Sequence, residues 1–133
     1  MRVVLDSSVL VAAHISRAGV CAELIEEILL GHDLVLSEFI LEELEEKLLT
    51  KFGFPKSAVA LALEHLKQAA RIVEPMALPP GICRDPDDVP VLGTAVAGET
   101  EVLVTVDMDL LALGSYKGIA IIKPGEFWRR ARR

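Results

Sequence analysis

Apolar and polar positions alternate along this chain in short blocks whose period changes repeatedly. Residues 2 to 5 are a β-branched run closed by Asp6, which predicts a buried strand. Ser7-Ser8 offers an N-cap to Val9-Leu10-Val11-Ala12-Ala13, a segment too apolar for anything but a covered helix. A second helix is predicted from Val20 to Leu30, with Leu24, Ile25, Ile28 and Leu29 on one face and Gly31 as its stop. Leu34-Val35-Leu36 reads as the next strand. Ser37 can cap a helix running to about Thr50, and Gly53-Phe54-Pro55 breaks the chain. Pro55 to about Ala70 is helical again, with Pro55 or Lys56 near its start. Arg71-Ile72-Val73-Glu74 is a third strand, and Pro75 to Pro86, with Pro79-Pro80-Gly81, is a loop. Asp88 to Gly98 is helical, 102 to 106 a strand, 109 to 113 a short helix and 119 to 122 a last strand. Pro124 starts a terminal helix.

Strands alternating with helices imply a parallel sheet covered on both faces. The expected fold is α/β, a three-layer α/β/α arrangement with a central parallel sheet of about five strands. At 133 residues, with no internal repeat, the chain is expected to form one domain over 1–133. It is 52% hydrophobic and 26% charged, with mean hydropathy +0.43, which excludes disorder. No apolar run approaches the roughly 18 residues of a membrane span. The opening Arg2 and three apolar residues before Asp6 do not make a signal peptide, so a cytoplasmic location is expected. Cys21 and Cys83 lack CxxC spacing and read as buried free thiols, and His14, His32 and His65 do not pair with them as zinc ligands.

The net charge of −6 and pI near 5.0 are wrong for a protein that holds nucleic acid by charge alone. The single basic patch, Arg129-Arg130-Ala131-Arg132-Arg133, reads as a solvated tail rather than a phosphate contact. The acids are more telling in position than in number. Asp6 and Asp107 each close an apolar strand, and Asp88 opens a helix after Asp85-Pro86-Asp87. Strand ends and helix starts of a parallel sheet gather on one edge, where such proteins bind ligands. In the run Glu42-Glu43-Leu44-Glu45-Glu46, the buried stripe Ile40, Leu41, Leu44, Leu48 leaves Glu42 and Glu46 facing solvent. Glu43 and Glu45 flank the stripe, and the pattern does not choose between them. Lys47, four residues after Glu43, makes a favourable helix-surface pair. Asp109 either faces the same crevice as Asp107 or caps the short helix at Leu110. Ser7 and Thr105 are hydroxyls beside these acids, suited to orienting a carboxylate or a water.

Each acid alone has an ordinary explanation as a cap, a turn or a solvated helix face. Together they do not, because two carboxylates about 4 Å apart repel by about 4 kcal/mol at an effective dielectric near 20. Hard oxygen ligands without His or Cys favour Mg²⁺ or Mn²⁺ over Zn²⁺. Phosphodiester hydrolysis is the chemistry that uses such a centre.

In this order the motifs resemble a PIN domain, the small nuclease fold shared by VapC-type toxins and related RNases. Val3-Val4-Leu5-Asp6-Ser7-Ser8 resembles the first family motif, and Ser37 to Leu48 the second, whose Glu-Leu pattern selects Glu43. Asp85-Pro86-Asp87-Asp88 followed by Ala95 resembles the third, and Val104-Thr105-Val106-Asp107-Met108-Asp109 the fourth. The closing Ile121-Ile122-Lys123-Pro124-Gly125-Glu126-Phe127 is similar to the family's end. The resemblance implies a metal-dependent endoribonuclease with Asp6, Glu43, Asp88 and Asp107 as metal-binding acids and Asp85 and Asp109 as helpers. Two positions depart from the family. Ser7-Ser8 stands where Thr with Asn or Ser is commoner, and Val106 where Gly or another small or polar residue is frequent.

The resemblance further implies an RNA substrate and, for the toxin type, an antitoxin partner. RNA-processing or DNA nucleases and a catalytically silent binding module share the fold. A phosphoacceptor domain also collects Asp at strand ends, but its central strand should end in Asp, and strand 34 to 36 ends in Ser37. Apolar helices such as 56 to 70 exceed what one sheet face needs and imply a homodimer.

Overall fold

A computed structural model describes residues 1–131. Four strands form the parallel core of the sheet: β1 (Arg2–Leu5), β2 (Asp33–Leu36), β4 (Val102–Val104) and β6 (Ile119–Ile122). The two-residue strands β3 (Arg71–Ile72) and β5 (Ser115–Tyr116) lie at its edges, giving the order β3-β2-β1-β4-β6-β5. All pairs are parallel except β5 with β6. The five expected strands are present, and β5 is a sixth. It escapes the apolar pattern because it is half exposed and closed by Lys117-Gly118, both at positive φ, which suits a tight hairpin.

Residues Val3 to Leu5, Val102 to Val104 and Ile119 to Ile122 are all buried, so alternate side chains on both faces of the sheet are covered. The covering helices are α1 (Ser7–Ile15), α2 (Val20–Gly31), α3 (Glu38–Glu46), α4 (Lys56–Ala69) and α5 (Asp88–Ala97), with the shorter α6 (Met108–Leu111) and α7 (Phe127–Ala131). Helix α5 packs across β1, β2 and β4, whereas α2 packs on β2 and on the 3₁₀ turn Pro124–Glu126. The helix expected to run from Ser37 to Thr50 is α3 followed by a π-helical turn, Lys47–Lys51. Helices α1, α2 and α4 leave between them an apolar groove of about 670 Å³, lined by Ala13, Ala22, Ile25, Leu29 and Leu61. Among the described residues no single helix is long and apolar enough to cross a membrane. Of the basic tail, Arg129 and Arg130 are exposed, while Arg132 and Arg133 lie outside the described residues.

The connections decide where a crevice forms. From β1 the chain moves to β2 on one side, while β4 enters on the other, so their carboxyl ends flank a topological switch point. The register pairs Leu5 with Val104, and the Asp6 amide donates to the Val104 carbonyl at 3.0 Å. Asp6 and the residues after β4 are thereby fixed side by side.

Candidate metal centre

Asp6 leaves β1 in an extended conformation and caps α1, its Oδ1 accepting the Ser7 amide at 2.7 Å. Its Oδ2 accepts the hydroxyls of Ser8 at 3.0 Å and Thr105 at 2.8 Å. Three donors hold this buried carboxylate in one orientation. Thr105, fully buried, also accepts the Asp107 amide at 2.9 Å, so one hydroxyl ties the ends of β1 and β4 together. That bond turns the Asp107 amide inward, and β4 stops at Val104 rather than reaching residue 106.

Asp107 itself caps α6, its Oδ1 accepting the amides of Asp109 at 2.8 Å and Leu110 at 3.2 Å. Asp109 is therefore not the cap. It presents a carboxylate oxygen instead, and the oxygens of Asp88, Asp107 and Asp109 lie within 4.8 Å of one another. Asp88 opens α5 from a turn in which Asp85 accepts the Asp87 amide at 2.9 Å. Asp88 is 6% exposed, and its Oδ2 is buried with no hydrogen-bond partner. Burial, then the negative charges of Asp107, Asp6, Asp85 and Asp109, push its carboxyl up to about 7.

Glu43 and Glu45, equivalent by periodicity, separate in space. Glu45 is exposed, whereas Glu43 is half-buried and accepts the Ser7 hydroxyl at 3.2 Å. Burial raises the Glu43 carboxyl most, Lys47 pulls it back, Asp6 raises it, and the Ser7 hydrogen bond lowers it. Ser7 is not the helix cap, since Asp6 has that role.

A crevice of about 260 Å³ collects Asp6, Ser7, Ser8, Glu43, Lys47, Asp85, Asp87, Asp88 and Asp107. The four acids expected to bind metal thus line one cavity, with Asp85 and Ser7 among them. Asp109 borders the group through Asp88 and Asp107, and Thr105 underlies it. Three lining residues were not expected there: Ser8, Lys47 and Asp87. The Asp85-Pro86-Asp87-Asp88 run was the available signal for Asp87, and the spacing from Glu43 was the signal for Lys47. Val106 is exposed and does not fill the cleft; its amide donates to Ser8 Oγ at 3.4 Å. Burial and the charges of Asp88, Asp107 and Asp85 hold the Cys83 thiol above its ordinary range, as suits a buried free Cys.

The donor set fits a hard divalent cation. It is all oxygen, it carries excess negative charge, and one buried oxygen lacks the positive partner that burial demands. Asp88, Asp107 and Asp109 are spaced to share such an ion, with Asp6 and Glu43 facing the same space.

Comparison with known proteins agrees with this architecture. No curated protein matches the sequence. Among solved structures, VapBC2 from Rickettsia felis, bound to a DNA fragment from their promoter, is similar at TM-score 0.65 and 14% identity, over 92% of this chain and 98% of that one. VapBC-1 from nontypeable Haemophilus influenzae is similar at TM-score 0.63 and 16% identity, over 94% and 99% of the two chains. PAE2754 from Pyrobaculum aerophilum is similar at TM-score 0.62 and 20% identity, over 100% and 91%. The model of the PIN domain matches residues 2–109, most of the chain. On that match, and with its strand-end acids gathered at the switch point of a parallel sheet, this chain belongs to the PIN domain family.

Proposed function

We propose that this protein is a divalent-metal-dependent endoribonuclease that cleaves single-stranded RNA, acting as the toxin of a toxin–antitoxin pair. The observation that carries this reading is the crevice at the β1/β4 switch point, which Asp6, Glu43, Asp88 and Asp107 line together and where one Asp88 oxygen is buried without a partner. Mg²⁺ or Mn²⁺ is the cation this donor set favours. When bound there, it would activate water and screen the charge gathering on the scissile phosphate. Asp88, Asp107, Asp6 and Glu43 are assigned to hold it, with Asp109 as an adjoining carboxylate and Asp85 shaping the turn that delivers Asp88.

The remaining groups keep these acids in place. Thr105 and Ser8 fix the rotamer of Asp6, and the first amides of α6 fix that of Asp107. Ser7 holds Glu43 toward the cavity. Binding geometry therefore precedes the ligand, which favours catalysis by limiting reorganisation when charge develops.

Structural likeness to two VapBC proteins supports an antitoxin partner, and a toxin acting on cellular RNA would work in the cytoplasm. The apolar groove between α1, α2 and α4 supports a protein contact, and we assign it to a homodimer. The test is incubation with single-stranded RNA and Mn²⁺, repeated with EDTA and with Asp6→Asn. Cleavage is expected only in the untreated wild type. Cleavage that survives either change refutes the assignment, and a preference for DNA in a parallel incubation would move the substrate.

A further inference from the structure

Among the described residues lining the acidic crevice, Lys47 is the sole base, set against the six carboxylates of Asp6, Glu43, Asp85, Asp87, Asp88 and Asp107. It stands one helical turn after Glu43, so the two side chains leave the same side of the helix. Its Nζ donates to Ser7 Oγ at 2.9 Å, and the Ser7 hydroxyl donates its own hydrogen to Glu43 Oε1 at 3.2 Å. A serine has one hydrogen and two lone pairs, so this chain uses it in both senses and orders the ammonium beside Glu43. Ser7 is itself 1% exposed, which keeps bulk water from taking over either bond.

The other side of the crevice differs. There Asp88, Asp107 and Asp109 offer oxygens to one another's vicinity, and Asp88 Oδ2 is buried without a donor. One side already holds a cation, and the other lacks one.

We propose that Lys47 is the second cation of this centre, so the crevice takes a single divalent ion, seated at Asp88, Asp107 and Asp109 with Asp6 and Glu43 turned toward it. Lys47 acts as a positioning residue, orienting Glu43 through Ser7 and excluding a second ion from the Glu43 side. Exclusion follows from charge, because the ammonium held through Ser7 already offsets the Glu43 carboxylate and repels any cation placed beside it. The inference rests on the metal-dependent reading above.

Mn²⁺ is the probe, titrated into the purified full chain and counted as free ion by its electron paramagnetic resonance. Wild type is expected to bind one Mn²⁺ per chain. Lys47→Gln and Lys47→Met are each expected to admit a second ion, and Lys47→Arg to remain at one because it keeps the charge. Thermal melts identify any variant that fails to fold, and the other neutral variant then decides. Cleavage by wild type should rise in first order with Mn²⁺, fall about 10²-fold in Lys47→Gln and recover in Lys47→Arg. Two ions in wild type, or one ion in every folded neutral variant, would overturn the role of Lys47 and leave the metal-dependent nuclease standing. No Mn²⁺ binding together with EDTA-resistant cleavage would overturn both.

Discussion

Asp88 opens α5 with a carboxyl that burial and four neighbouring acids push from an ordinary 3.8 up to about 7, while one of its oxygens meets no donor. A raised folded-state value means the folded protein binds this proton more tightly than the unfolded chain does. Its contribution to stability is therefore complete below about pH 4 and lost as pH rises through about 7. In EDTA, the melting temperature of wild type is expected to fall across that window relative to Asp88→Asn, which should be the more stable protein at pH 8 by several degrees. Adding Mg²⁺ should reverse the order at pH 8, because an ion that binds only the folded state stabilises it. Wild type gaining on Asp88→Asn as the pH rises in EDTA would rule out a buried, unpaired Asp88. The sequence showed Asp88 at a helix start, where an N-terminal acid is ordinarily exposed and favourable. Part of the charge that presses on it comes from residues distant in sequence, Asp107 and Asp6.

Helix α5 depends on Gly93 for its closeness to the preceding loop. The Met76 amide donates to the Gly93 carbonyl at 3.0 Å, and a Cβ on Gly93 would collide with the Met76 carbonyl oxygen. Backbone cannot move aside as a flexible side chain would, so Gly93→Ala is expected to destabilise by about 1–3 kcal/mol, read as a lower urea midpoint at unchanged slope. The same shift should weaken Mn²⁺ binding, since Asp88 rides on this helix; an unchanged midpoint would show that the loop is free to yield. Other elements mark the reach of sequence patterns. The helices were legible from their stripes and stops, as with Leu24, Ile28 and Gly31 in α2. The π-helical turn at Lys47–Lys51 was not, because the hydrogen bond that the Phe52 amide donates to the Lys47 carbonyl at 3.2 Å leaves no mark on apolar spacing. Strand β3 was expected over four residues, but only Arg71 and Ile72 pair with β2 before Pro75 approaches.

At the scale of the molecule, the groove between α1, α2 and α4 is lined in part by exposed leucines, with Leu61 72% and Leu29 38% exposed. Sedimentation is expected to give a dimer for wild type and a monomer for Leu61→Glu with unchanged helix content. A monomeric wild type would leave this face to another protein. The sequence alone determined the alternation of strands and helices, and with it a covered parallel sheet, because local period depends only on which neighbours are apolar. It also determined that Asp6, Asp88 and Asp107 stand at the ends of elements. Which acids meet was decided only by tertiary structure. The pairing of Leu5 with Val104 brings Asp6 beside the Thr105 hydroxyl that anchors the Asp107 amide. The packing of α3 against α1 turns Glu43 to Ser7 and leaves Glu45 in solvent. The same packing draws Lys47 into the crevice. Register and helix packing join residues up to 99 positions apart, and no local period encodes such a distance.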